Sequence, residues 1–331
     1  CLGFELPFQL LNDFIERYNP RTLILHAPDG LKILYKCVEN RILEDIEIYY
    51  SSSPGYGACD IPLDEAEVIG ADGIVHIGHL EYPLQPIPDL KVKILYLPAY
   101  YNRLLTEETL STISTRLEEK SASSVTVSST IVESKIRRQI HEYLSEKGFE
   151  STEILAPILG CMYAPLVRLD SSVDAHILVA GGLFHHLGAF FSLKKPVISV
   201  DPYRQEVMDY TNEFKKYVSK RLFLVSKVKN APYRTVGLVV GTRPGQHRPE
   251  LVRFLGERAE KRGYKPYVIS SAYLSVERLM AIDNSLGLDF YVVTSCPRLP
   301  IDDLGDFYKP VLTPGEFLMI LNDKEEYAFP W

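Results

Sequence analysis

Thr22-Leu-Ile-Leu-His26-Ala-Pro-Asp-Gly30 is a short, β-rich apolar run that breaks into a loop bearing Pro, Gly and polar side chains. A strand followed by such a loop is the opening half of a βα unit. Working outward, 46–50, 73–77 and 92–97 are further β-rich runs separated by helical stretches, so the first third predicts four parallel strands. The middle third repeats the order with runs at 124–127, 153–155, 175–180 and 196–200, and a helix over 135–147. The last third does so again, with 236–240, 267–269, 289–294 and 310–312 alternating with helices over 249–261 and 276–282. The fold class is therefore α/β, with three structural repeats drawn at 1–100, 101–205 and 206–331, each a small four-stranded parallel sheet with flanking helices.

The bulk composition agrees with folded domains of this kind. The 331 residues are 46% hydrophobic and 24% charged, a globular balance, and the length exceeds what one core usually serves. Lys and Arg total 36 against 43 Asp and Glu, a net charge of -7 that disfavours a phosphate backbone as partner, so no nucleic acid is expected. No run approaches the roughly 18 apolar residues of a membrane helix, and no basic-then-apolar leader opens the chain. The expected location is cytoplasmic.

In open parallel sheets the loops after the carboxyl ends of the strands gather at one edge, where ligands collect. Chemistry-bearing residues fall on those loops: His26–Gly30, Pro54–Cys59, His76–His79, Pro157–Cys161, Gly181–Gly188, Gly241–Gln246 and Ser295–Arg298. Five cysteines, Cys1, Cys37, Cys59, Cys161 and Cys296, are an odd number that argues against a disulfide framework. Cys37 lies among Leu31, Leu34, Tyr35 and Val38 at helical spacing and reads as a packed face. Cys59 and Cys161 occupy matching places after the second strand of their repeats, whereas Cys296 follows the third strand of its own. Three thiols at functional strand ends of three repeats favour zinc or iron–sulfur ligation over independent burial. Three ligands leave a coordination position open, and a closed zinc site would need a histidine such as His79 or His185.

The remaining motifs are weaker. Gly181–Gly188 lacks the spacing of a dinucleotide fingerprint, and no phosphate-loop sequence occurs. Gly241-Thr-Arg-Pro-Gly-Gln246 is a turn whose Arg243 and Gln246 present donors suited to a carboxylate or amide. Asp302 and Asp303 read as a helix start, and Asp201-Pro-Tyr203 as the end of a repeat.

Together these stretches resemble the diphthamide synthase family, in its archaeal 2-(3-amino-3-carboxypropyl)histidine synthase form. The resemblance spans nearly the whole chain and rests on His26-Ala-Pro-Asp-Gly-Leu31, Tyr56-Gly-Ala-Cys-Asp60, His76-Ile-Gly-His79, Ile158-Leu-Gly-Cys161, Gly181-Gly-Leu-Phe-His185, Asp201-Pro-Tyr203, Pro244-Gly-Gln246, Ser295-Cys-Pro-Arg298 with Asp302-Asp303, and Leu312-Thr-Pro314. It implies three Rossmann-like domains and a 4Fe-4S cluster on Cys59, Cys161 and Cys296. It further implies S-adenosylmethionine as substrate, with Gln246, Arg298, His79 and His185 as binding residues and Gln246 and Arg298 at its methionyl part. The implied chemistry is transfer of a 3-amino-3-carboxypropyl radical to a histidine of translation elongation factor 2, releasing methylthioadenosine. A homodimer and an electron donor are the other partners implied. The chain departs from the family pattern at Pro157 and over Ser129-Thr-Ile-Val-Glu133. Quinolinate synthase, which shares three α/β repeats and a three-cysteine cluster, is the alternative among enzymes. A non-catalytic scaffold subunit is the alternative outside them, although all three cysteines are kept.

Overall fold

A computed structural model describes residues 1–83 and 91–331. The first part of the chain runs β1 (Phe4–Glu5), α1 (Phe8–Tyr18), β2 (Thr22–His26), α2 (Tyr35–Glu39), β3 (Glu47–Tyr50), α3 (Leu63–Ile69), β4 (Gly73–Ile77), β5 (Lys93–Leu97) and β6 (Tyr100–Tyr101). It continues through α4 (Glu107–Glu119), β7 (Ser124–Ser129), α5 (Ser134–Glu146), β8 (Glu150–Glu153), α6 (Ala164–Val167), β9 (Ala175–Val179), α7 (Phe184–Ser192), β10 (Val197–Asp201) and β11 (Glu206–Met208). The last part is α8 (Thr211–Asn230), β12 (Thr235–Gly241), α9 (Pro249–Lys261), β13 (Lys265–Ser271), α10 (Val276–Leu286), β14 (Phe290–Val293), β15 (Val311–Leu312) and α11 (Pro314–Leu321).

Among the described residues three larger sheets form, ordered β3-β2-β4-β5, β11-β10-β9-β7-β8 and β13-β12-β14-β15. Counted within each repeat, the order is second, first, third, fourth every time. The reversal of winding between first and third strands is the switch point at which such sheets bind ligands. The first and third sheets are parallel throughout, as expected. The second differs by one strand, because β11 turns back antiparallel on β10 after the Asp201-Pro-Tyr203 turn. A further two-stranded antiparallel pair joins β1 to β6.

The repeats also share a side-chain clamp. Asp72 accepts hydrogen bonds from the backbone N–H groups of Arg21 and Thr22 at 2.7 and 3.0 Å. Asp174 does the same for Ser123 and Ser124 at 3.0 Å each, and Asp289 for Arg234 and Thr235 at 2.8 Å each. Each aspartate stands just ahead of a third strand and fixes the start of the neighbouring first strand, supplying an acceptor to N–H groups the ladder leaves open.

Contacts divide the chain into two compact units, one of Cys1–Leu105, Ser129–Ile140 and Arg243–Gly245, the other of Thr106–Ser128, His141–Thr242 and Gln246–Trp331. In the first unit Leu23, Leu25 and Val75 bury against Leu11 and Phe14, while Ile24 and Ile74 bury on the opposite face against Ile61 and Ala66. Burial on both faces explains the continuous apolar runs of these strands. In the second unit the core of the third sheet is Val236, Leu238, Val240, Phe290, Val292 and Leu312, covered by α8, α9 and α11 through Val225, Leu255 and Phe317. Arg221 on α8 is fully buried there: its Nε donates to Glu316 Oε1 at 2.7 Å, and its two terminal nitrogens to the Pro300 and Val311 carbonyls at 2.8 Å each. Helix ends use local chemistry, with Thr106 capping α4, Ser275 capping α10, and Thr313 and Glu316 making a reciprocal box at α11.

Two expectations are corrected. The second strand of the middle repeat is Glu150–Glu153, ahead of the expected 153–155, because this edge strand is polar and its apolar neighbours Ile154 and Leu155 follow it. Asp302 and Asp303 do not start a helix; they close the single π-type turn Leu299–Asp303 that begins after Arg298.

Candidate functional site

In the first unit Cys59 lies on the loop between β3 and α3, half-buried and not in a disulfide. Arg243–Gly245, the residues that follow β12, pack with this unit, and the Gly245 N–H donates to the Cys59 carbonyl at 3.0 Å. The approach is so close that a Cβ on Gly245 would fall 2.5 Å from Cys59 Cα, which only glycine allows. Arg243 is buried; its Nε lies 3.4 Å from Asp60 Oδ1, and it also pairs with Asp64. Its donors thus meet carboxylates of this chain. Burial pushes Asp60 up to about 6, against the pull of Arg243 and of the Tyr56 N–H.

His26, His76 and His79 are not separate ligand candidates but one chain of imidazoles. His26 Nδ1 is 2.9 Å from His76 Nδ1, and His76 Nε2 is 3.0 Å from His79 Nδ1. His26 and His76 sit at the ends of β2 and β4, on either side of the switch point. His79 reaches the cysteine loop, since a Cβ on Gly57 would stand 3.8 Å from His79 Nε2 and 4.0 Å from Cys59 Sγ. Burial holds His26 and His79 down to about 4, with Lys32 and Arg243 adding to the effect on His26, and holds His76 well below the ordinary range.

In the second unit Cys161 and Cys296 come within each other's electrostatic reach. Burial pushes the Cys296 thiol up to about 12, opposed by the Arg298 N–H and raised further by Cys161. Cys296 follows β14 at the switch point of the third sheet, where the loop after β12 meets it: a Cβ on Gly241 would lie 2.7 Å from Ser295 Cβ and 2.8 Å from the Gln246 carbonyl. Gln246, buried, is thereby set beside the Cys296 loop. Arg298 is partly exposed, its Nε 3.5 Å from Asp302 and 3.6 Å from Asp303. The Cys161 loop packs on the start of α7. Tyr163 donates to the His185 carbonyl at 2.9 Å, and a Cβ on Gly160 would fall 2.1 Å from the Phe184 ring. Each of His79, His185 and Gln246 thus neighbours a cysteine loop. Over the divergent stretch at 129–133, Thr130 bonds the buried Glu133 carboxylate and Ser129 donates to the Thr130 carbonyl at 2.6 Å.

Sequence reasoning had Gly245 only as part of the Pro244-Gly-Gln246 motif, without its contact to Cys59, and missed Tyr163, Arg248 and Trp331. Arg248 donates to the Thr294 carbonyl at 3.2 Å and to the Ser295 carbonyl, and its guanidinium lies 4.3 Å over the Trp331 ring, whose Nε1 donates to the Cys161 carbonyl at 3.3 Å. The one available signal was the position of Arg248 two residues after Gln246.

Among the described residues no three His, Cys, Asp or Glu side chains gather as ligands of a single metal ion. Thiolates of an iron–sulfur cubane each bind a different iron and need not converge on one point. Cys59 in the first unit, and Cys161 and Cys296 in the second, are outside any disulfide and stand on strand-end loops, and thiolates are the ligand type such a group takes.

The architecture is that of an α/β protein of several parallel-sheet units with loop-borne cysteines at strand ends. The profile of the family described as "Putative diphthamide synthesis protein" matches residues 27–330, and the chain belongs to that family. It is 27% identical to the 2-(3-amino-3-carboxypropyl)histidine synthase of Pyrococcus horikoshii, covering 98% of this chain and 93% of that protein. The synthase of Methanocaldococcus jannaschii is 26% identical, over 95% of this chain and 88% of the relative. A crystal structure of Dph2 from Pyrococcus horikoshii with a 4Fe-4S cluster superposes with a TM-score of 0.81 at 25% identity, covering 98% of this chain and 93% of that one. Membership selects diphthamide synthesis over the quinolinate synthase alternative.

Proposed function

We propose that this chain is a 2-(3-amino-3-carboxypropyl)histidine synthase that holds a 4Fe-4S cluster on Cys59, Cys161 and Cys296, one from each of three domains at 1–100, 101–205 and 206–331. Its substrates are S-adenosylmethionine and a histidine of translation elongation factor 2. The observation that carries the reading is the placement of three cysteines outside any disulfide on loops at strand ends, in a chain of this family. When bound, the cluster supplies the electron that splits the sulfur–γ-carbon bond of S-adenosylmethionine, giving the 3-amino-3-carboxypropyl fragment and methylthioadenosine.

The chain's own residues bind and orient. Arg298 offers a guanidinium fork to the methionyl carboxylate, taking it in exchange for Asp302 and Asp303. Gln246 offers an amide donor beside the Cys296 loop, while His79 and His185 line the loops of Cys59 and Cys161. With its Nδ1 engaged by His76, His79 has only Nε2 to present to a ligand. A homodimer, a separate electron donor and a cytoplasmic location complete the reading; no helix among the described residues is long and apolar enough to cross a membrane.

Anaerobic reconstitution tests the assignment. Wild type should bind about four irons per chain, and Cys59→Ala, Cys161→Ala and Cys296→Ala should each lose most of that iron, whereas Cys37→Ala keeps it. Colourless protein holding zinc, or equal iron in all four variants, would refute it.

A further inference from the structure

The loops that carry Cys161 and Cys296 have little regular structure of their own. Between β8 and α6 the Cys161 loop makes a single isolated bridge, Leu159 to Met162, and Cys296 sits between the end of β14 and the turn at Leu299. Something else must set their spacing. A continuous path of contacts runs from one to the other: the Cys161 carbonyl accepts from Trp331 Nε1 at 3.3 Å, the Trp331 ring lies 4.3 Å beneath the Arg248 guanidinium, and Arg248 donates to the carbonyls of Thr294, at 3.2 Å, and Ser295. Ser295 is the residue before Cys296. Every link is to backbone or to a ring face, so the path holds main chain in place and uses neither sulfur.

We propose that Trp331 and Arg248 form a clasp that fixes the separation of the Cys161 and Cys296 loops, making both of them positioning residues for the cluster. The proposal rests on the reading of these cysteines as cluster ligands and adds what keeps them in register. The planar guanidinium is essential to it, because it stacks on the indole with its face while its edge donates to two carbonyls. A lysine ammonium has neither the planar face nor the fixed fork.

The test uses the full chain in wild type, Trp331→Ala, Trp331→Phe, Arg248→Lys and, as control, Phe254→Ala, which removes a similar stack under Arg258 on α9. Reconstituted proteins are challenged with an iron chelator, and their midpoint potentials and spin-resonance spectra recorded. Trp331→Ala and Arg248→Lys should lose iron roughly tenfold faster than wild type, the order found when groups supporting metal ligands are removed. Trp331→Phe, which keeps the stack and loses the hydrogen bond, should fall between, and Phe254→Ala should match wild type. Hydrogen exchange on the metal-free proteins gives a reading independent of iron: peptides over 156–163 and 294–298 should exchange faster in Trp331→Ala, with α9 unchanged. If wild type takes up iron and Trp331→Ala releases it at the same rate with the same spectrum, the clasp is refuted. If wild type takes up none, the cluster reading fails, and unchanged exchange in those two segments refutes the clasp separately.

Discussion

His26 and His76 face each other through like atoms, Nδ1 to Nδ1, 2.9 Å apart in the interior of the first unit. Two such nitrogens share one proton, so one ring donates and the other accepts, and charging both would set two N–H groups against each other. Burial, aided by Lys32 and Arg243, holds His26 down to about 4, against an ordinary value of 6.5. The unfolded chain therefore binds protons that the folded one refuses, and the associated stability is present above about 6.5 and lost as pH falls towards 4. The imidazole resonances of His26 and His76 should not titrate between pH 7 and pH 5. Ordinary midpoints near 6.5 would contradict the buried neutral pair.

A carboxylate gives the complementary acid dependence. Four hydrogen bonds from Ser123 and Ser124, backbone and hydroxyl, hold Asp174 down to about 2. Its contribution is complete above 3.8 and disappears as pH falls through about 2. Asp174→Asn should lower the melting temperature at pH 7, flatten the acid limb of the stability curve, and speed exchange of the Ser123 and Ser124 amides. An unchanged acid limb would show that the clamp adds nothing.

Close approach at Cys59 predicts a steric effect of opposite sign at two glycines. Gly245→Ala drives a methyl into Cys59 backbone at 2.5 Å and should destabilise by about 1–3 kcal/mol. Gly256→Ala, within α9, meets Leu238 at an ordinary 3.6 Å and should stabilise by about 0.4–1 kcal/mol. Urea denaturation checks both, and equal effects would remove the steric argument.

Arg221 and Glu316 are both fully buried, and removing one leaves an uncompensated charge. Glu316→Gln or Arg221→Met should each cost about 3–5 kcal/mol, with the double variant recovering part of the loss. Strict additivity of the two, measured by chemical denaturation, would mean that they do not act as a pair.

Much of this architecture was legible because its central strands are buried on both faces, and runs such as Thr22–His26 and Gly73–Ile77 carry that burial openly. Edge elements were harder. β8 reads Glu-Ser-Thr-Glu with no apolar alternation, and β11 is three residues on a sheet edge. The twenty-residue α8 went unread because its few buried positions include Arg221, a charge that periodicity counts as surface. At the site, the three cysteines stood out as strand-end residues. Their supports did not, since Trp331 meets Cys161 across 170 residues and Gly245, which follows β12, meets Cys59, which follows β3. The three histidines were visible singly, but their hydrogen-bonded chain depends on the register of β2 against β4.

In the function proposed above, this chain fragments S-adenosylmethionine at its γ-carbon side and passes that fragment to a protein histidine. The three cysteines proposed as ligands stand on separate loops, and no Cys-x₃-Cys-x₂-Cys segment occurs in the sequence, so the proposed chemistry differs from that of enzymes that release 5'-deoxyadenosine. Positioning decides which carbon–sulfur bond breaks. The most direct measurement is chromatographic analysis of the nucleoside released when dithionite-reduced protein meets S-adenosylmethionine labelled in its carboxyl group, with elongation factor 2 present. Methylthioadenosine is the expected product, together with label on the factor that disappears when its target histidine is replaced. 5'-Deoxyadenosine as the main product, or labelling that persists without that histidine, would contradict it.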